Sequence, residues 1–252
     1  MTEAVMTPSV RKVAVTAPLR WLGEGWSDFM KAPGACLIYG LAVAGVSFLI
    51  TYGLVAYDLP FWVLTLSCGF VFLAPMMAMG LYEAGRLIER GEKPSLMAML
   101  CVRGAMRQDV LYLGLALTLI YLLWGRIAQI VYGLSTYRFY VTVEDFVRFA
   151  LTTSEGHSML IAGTIIGGGM AFFTYCLVVI AAPMLLDPRN NVFAAIFTSF
   201  RAVAENPAPM FLWALILAAV LLISAATAFW ALIVTFPWLG LASWRAYRDL
   251  VG

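Results

Sequence analysis

The sequence predicts an all-α fold: a polytopic membrane protein of six transmembrane helices arranged as three hairpins, each preceded by an amphipathic interfacial helix. Three observations carry this reading. Of the 252 residues, 63% are hydrophobic and 12% charged, and the mean hydropathy is +0.90, which leaves too little polar surface to cover a water-exposed globule. Long uncharged stretches recur that match the roughly 20 residues a bilayer core of about 30 Å requires. Finally, all of the 16 Lys and Arg except Arg126, Arg138 and Arg148 fall into four clusters between those stretches. The clusters are Arg11, Lys12, Arg20 and Lys31; Arg86, Arg90, Lys93, Arg103 and Arg107; Arg189 and Arg201; and Arg245 and Arg248. Basic residues near span ends are retained in the cytoplasm. Two crossings between neighbouring clusters therefore give six spans and place both the N- and C-termini on the cytoplasmic side of an inner membrane.

The elements follow in order. Residues 1–17 read as a flexible N-terminal cytoplasmic tail, with no cleavable signal peptide, and residues 18–252 as a single six-helix membrane domain. Leu19, Leu22, Trp26, Phe29 and Met30 repeat at helical spacing against Arg20, Glu24, Asp28 and Lys31, the pattern of a helix lying in the inner interface. The first span, about Gly34 to Tyr57, opens just after Pro33, whose missing N–H costs nothing in a first turn. A tight turn at Asp58-Leu59-Pro60 returns the chain into a second span ending near Tyr82. Ser95 caps another interfacial segment, with Leu96, Met99, Leu100 and Met106 opposite Arg103 and Arg107. The third span covers about Val110 to Leu134 and the fourth about Ser158 to Leu186. Between them lies an outer insertion, residues 135–157, in which Thr142 and Asp145 form a capping box ahead of a short helix. Val192, Phe193, Ile196, Phe200 and Val203 mark a third interfacial helix. The last apolar block, Pro209 to Trp244, is short for two crossings. It is nevertheless split near Ser224 to Thr227, because basic residues flank both ends, so one or both of its helices are short or tilted.

The second span of every hairpin carries a proline: Pro75, Pro183 and Pro237. Interfacial helix followed by hairpin thus reads as one unit in three copies. The prolines have two readings. Neighbouring helices can satisfy the freed carbonyls, making them packing kinks, or a kink can line a pathway. Arg126, toward the outer end of the third span, either snorkels to water or pairs with Glu144 or Asp145, or else marks a charge-selective position.

Catalysis needs convergent polar groups, and few are present. The single histidine, His157, sits in an outer loop, so no haem or histidine-rich metal site is expected within the chain, and no cofactor. Cys36, Cys68, Cys101 and Cys176 stand singly and read as reduced thiols. Residues two apart on a helix point about 200° apart, so only Met76 with Met79, or Met97 with Cys101, could face together, and methionine here reads as apolar packing. Glu83, Arg86, Glu89 and Arg90 read as a solvated ion-pair ladder. No nucleotide, nucleophile-elbow or zinc-protease motif is present. The four-residue spacing of Gly163 and Gly167 is the strongest packing motif, a groove in which a helix of this chain or of a partner can approach closely. Trp21, Trp26, Trp238, Trp244, Tyr82 and Tyr247 crowd the inner boundary as head-group anchors.

Several segments resemble an uncharacterised family of bacterial integral-membrane proteins, common in alphaproteobacteria and sometimes labelled as cytochrome c oxidase subunits. They are Arg20-Trp21-Leu22-Gly23, Trp26-Ser27-Asp28 with Ala32-Pro33-Gly34, Pro75 through Glu83, Arg86 through Gly91, Pro183 through Asp187, and Ser243 through Leu250. The resemblance implies a bacterial inner membrane and a single six-helix domain. It implies no catalytic residues, and one histidine excludes a redox-active oxidase subunit of the usual ligation.

Two functions are compatible with these features. The first is a non-enzymatic accessory or assembly subunit of a larger inner-membrane complex, for instance a respiratory oxidase, with membrane lipids and other subunits as partners and no nucleic acid. The second is a small-solute transporter or channel, which requires polar side chains clustered between helices at the bilayer midplane. Thr65, Ser67, Thr118, Gln129, Thr164, Thr174 and Thr235 are the residues that could form such a lining.

Overall fold

The computed structural model describes residues 8–136, 138, 140 and 142–251. Residues 1–7 of the tail expected from the sequence lie outside them. The chain is helical throughout its described length, in twelve α-helices and one 3₁₀ turn.

The first interfacial helix is α1, Ala17–Phe29. Its protein-facing side is not the expected apolar stripe. Trp21, Gly25, Asp28 and Phe29 are buried, whereas Leu19, Trp26 and Met30 stay exposed. An apolar face turned away from protein is what a helix seated in a bilayer interface requires. The same division recurs in α10, Val192–Glu205, where Ala194, Ala195, Thr198, Ser199 and Ala202 are buried and Phe193 and Phe197 exposed. Between them, Ser95 accepts a hydrogen bond from the Ala98 amide and starts α5, Leu96–Leu100, which leads to the 3₁₀ turn Arg103–Met106. Met97, Leu100 and Met106 are exposed there, and Met99 and Val102 buried.

After α1, Pro33 opens α2, Pro33–Ala56, and a turn with Asp58 at φ 49° leads into α3, Pro60–Met77. The helix does not end near Tyr82. It breaks at Ala78, three residues past Pro75, and resumes as α4, Met79–Glu89. In the middle of the chain α6, Gln108–Ser135, is followed by the short helix α7, Val143–Thr152, started by the expected Thr142 cap, whose side chain accepts from the Asp145 amide. Next come α8, Ser154–Val178, and, across a second break, α9, Ala181–Met184, which contains Pro183. The last pair is α11, Pro207–Ala226, and α12, Leu232–Val251, which keeps Pro237 inside an unbroken helix.

Among the described residues five stretches are long and apolar enough to cross a membrane: Pro33–Ala56, Gly69–Glu89, Gln108–Ser135, Ser154–Met184 and Pro207–Ala226. The expected sixth, α12, has Arg245, Arg248 and Asp249 in its last two turns, which shortens its apolar run. Consecutive long helices pack together, α2 on α3, α6 on α8 and α11 on α12. The first of each pair is peripheral, with 22% of its apolar window buried in α2, α6 and α11 alike, against 56% for Gly69–Glu89 and 39% for Ser154–Met184. The turn between α11 and α12 places Ala228 and Phe229 at positive φ and sets Trp230 against Phe48, tilted by 45° with ring centroids 5.6 Å apart. Helix α2 continues eight residues past Phe48, about 12 Å at the helical rise, so this turn stops short of the end of α2.

The core lies at the end where the basic clusters gather. Ile180, Ala181, Ala182, Met184, Leu185, Leu241, Ala242 and Leu250 are all fully buried there. Residues 8–16 run against this end: the Arg11 amide donates to the Leu250 carbonyl, the Val13 amide to Asn206 Oδ1, and Asn206 Nδ2 to the Arg11 carbonyl.

Candidate functional site

The hydroxyls that could line a pathway bond within their own helices. Thr65 donates to the Phe61 carbonyl, Thr118 to Gly114, Thr174 to Met170 and Thr235 to Ala231, at 2.8–2.9 Å. Each satisfies the i−4 carbonyl, and Thr235 Oγ1 also lies 3.1 Å from Ser224 Oγ of α11. Thr164 is exposed, and Gln129 accepts from Arg126 Nη1 at 3.0 Å. The side chain of Ser67 lies outside the described residues. Arg126 thus bonds within its own exposed helix face rather than to Glu144 or Asp145, which are engaged by Arg148 and Thr142. His157 Nε2 lies 2.8 Å from the Leu151 carbonyl at an exposed position.

The three prolines sit in different settings. Near the break after Pro75, Tyr39 Oη donates to the Met77 carbonyl at 2.6 Å. Near Pro183, the Ile180 amide donates to the buried Ser199 Oγ at 3.2 Å. Pro237 cannot donate to the Ile233 carbonyl, and that oxygen lies against Gly40 of α2, where a Cβ would collide with it. The two glycines of the packing motif also differ. Gly167 holds the indole of Trp124 from α6, 2.7 Å from where its Cβ would stand, whereas Gly163 faces open space.

The residues that sequence spacing did not bring together are the ionic ones. Asp28 is 1% exposed, accepts from Lys31 Nζ at 2.7 Å and from Arg245 Nε at 2.5 Å, and so ties α1 to α12. Glu89 lies 3.7 Å from Arg245 and 3.2 Å from Arg248. The expected solvated ladder is therefore a cross-helix network, with Glu83 buried and paired to Arg86 at 2.7 Å. Only the i, i+3 part of it was readable from spacing, because the partners on α12 are more than a hundred residues away in the chain.

Beside this network a cavity of about 610 Å³ opens between α4, α9 and α12, toward the C-terminal ends of the three proline-bearing stretches. Arg86, Glu89 and Arg90 line it from α4, Pro183, Asp187 and Arg189 from the α9 side, and Trp244, Tyr247 and Arg248 from α12. Burial pushes the Asp187 carboxyl up. Hydrogen bonds from the Arg189 backbone and side chain, with the charges of Arg189 and Arg107, outweigh that and hold it below its ordinary value. Arg107 also donates to the carbonyls of Leu185, Asp187, Pro188 and Asn190, closing the end of α9.

Comparison with known proteins adds one finding. Residues 63–187 match DUF2189, a family of predicted integral membrane proteins. The matched stretch runs from α3 to the end of α9, so it includes two walls of the cavity, and Pro75 through Gly91 and Pro183 through Asp187 among the segments that carried the resemblance. Comparisons with curated proteins and with solved structures gave no match. With five helices of spanning length, the chain is a multi-spanning integral membrane protein.

Proposed function

We propose that the chain is a non-enzymatic accessory or assembly subunit of a larger complex in a bacterial inner membrane, a respiratory complex being the case the oxidase resemblance suggests. It crosses that membrane six times, as three hairpins with both termini cytoplasmic and α12 as the short sixth crossing. The observation that carries the reading is the internal pairing of Thr65, Thr118, Thr174 and Thr235, which spends these hydroxyls' donors on their own helices; among them Thr235 alone adds a contact to a hydroxyl of another helix, Ser224, among the described residues. The half-buried Gly163 of α8, where an added Cβ would meet nothing within 4 Å, supports it as a place where another helix can approach closely.

The alternative, a small-solute transporter, draws on one observation: the cavity lies where two helices broken near Pro75 and Pro183 meet α12. Two measurements separate the readings. Mild-detergent pull-down of the full chain should recover stoichiometric membrane partners, and liposomes containing the purified chain should show no saturable solute flux. A lone monomer with saturable flux reverses the assignment. Cysteine labelling at His157 should report the outer side, and at Ser95 and Asn191 the inner side; inner labelling at His157 would remove the six-crossing arrangement.

A further inference from the structure

We propose that the cavity between α4, α9 and α12 is a binding site for a phosphate-bearing anion. Four arginines line it, Arg86, Arg90, Arg189 and Arg248, against two carboxylates, Glu89 and Asp187. The local field is therefore positive, and a concave, low-dielectric wall concentrates it.

One arginine of the wall stands apart from the others. Arg86 pairs with Glu83, Arg189 with Asp187 and Arg248 with Glu89, whereas Arg90 has no carboxylate partner among the described residues. A guanidinium only donates, so a cation cannot satisfy it and an oxyanion can.

Helix C-termini would by themselves favour a cation. Here their carbonyls are already occupied. Arg107 takes those that follow α9, and the amides of Arg90, Gly91 and Glu92 take those of Arg86, Leu87 and Ile88 at the end of α4. What remains facing the cavity is donor-rich. Phosphate, with several acceptor oxygens and up to two charges, suits an arginine cluster better than a monovalent halide, because guanidinium can pair with two of its oxygens at once. The volume, about 610 Å³, exceeds a bare phosphate and leaves room for an esterified group. The head group of an anionic lipid and a soluble phosphate ester share this chemistry.

The test uses the full chain in a maltoside detergent free of phosphate, with binding read by native mass spectrometry and calorimetric titration. Inorganic phosphate and glycerol 3-phosphate form the soluble arm, phosphatidylglycerol the lipid arm, and diacylglycerol and chloride the controls. Binding in the soluble arm identifies a free phosphate ligand, and binding confined to phosphatidylglycerol identifies a head-group site. In either arm Arg90→Gln and Arg189→Gln should each weaken binding about tenfold, since each removes donors to a charged group, while Arg148→Gln on α7 should not. Absence of binding in both arms by folded wild type, or binding by Arg90→Gln and Arg189→Gln equal to that of wild type, overturns the proposal. The result stands apart from partner recovery and solute flux, so the accessory reading can fail without it.

Discussion

Gly40 of α2 lies against the carbonyl oxygen of Ile233, the oxygen that Pro237 leaves without its helical partner. A proline in mid-helix normally exposes this group at a cost. Here the absence of a Cβ on α2 lets a neighbouring backbone cover it. A Cα–H···O contact is weak, but close backbone approach is how helices gain packing in lipid.

Gly40→Ala should therefore destabilise the chain by about 1–3 kcal/mol, because the backbone at Ile233 has to move. Gly45→Ala on the same helix, where a Cβ meets nothing within 4 Å, should be neutral or slightly stabilising. Thermal unfolding of both variants in detergent checks the difference. Equal melting temperatures would contradict the packing role.

Asp28→Asn should cost roughly 3 kcal/mol. The carboxylate is buried and serves both Lys31 and Arg245, and its loss leaves Arg245 with Glu89 alone at 3.7 Å. The expected readout is a lower melting temperature together with faster proteolysis within residues 8–31, since α1 loses its ionic link to α12.

Gly163 and Gly167 should separate on substitution. Gly167→Leu displaces Trp124, whose indole donates to the Thr65 carbonyl at 3.1 Å, and should lower stability of the isolated chain. Gly163→Leu should leave that stability unchanged and reduce recovery of a partner docked on α8. Measuring melting temperature and pull-down yield on each single variant distinguishes internal from external packing.

Acid should loosen the α9 end. The folded Asp187 carboxyl titrates below its ordinary 3.8, so its stabilisation is complete above that value and is lost as pH falls through the lower folded value. Thermal stability between pH 5 and about 3 should show this loss in wild type and less of it in Asp187→Asn. The side chain is 39% exposed, so the step is small.

Five stretches of spanning length were legible because hydropathy is a local signal. So were the Ser95 and Thr142 caps, since a cap acts within three residues. The orientation of the interfacial helices was half legible. Their apolar stripes stood out, but not that Leu19, Trp26, Phe193 and Phe197 face outward while small residues and Asp28 face the protein. Periodicity gives a face, and only the neighbours decide whether it meets protein or lipid. The cavity was not legible at all. Its walls come from three segments, and Arg86 and Trp244 read singly as a ladder member and a head-group anchor. A tryptophan followed immediately by Arg245 at a span end, with Arg248 one turn on, is the signal that pointed nearest to it.

All three interfacial helices gather at one end of the molecule, the end where Arg20 meets Asp249, Arg107 meets Asp187, and the Val192 amide meets Asp109. Their exposed apolar side chains have no protein against them and are left for acyl chains, so the segments that close the core at this end also give the bilayer its hold on the protein there.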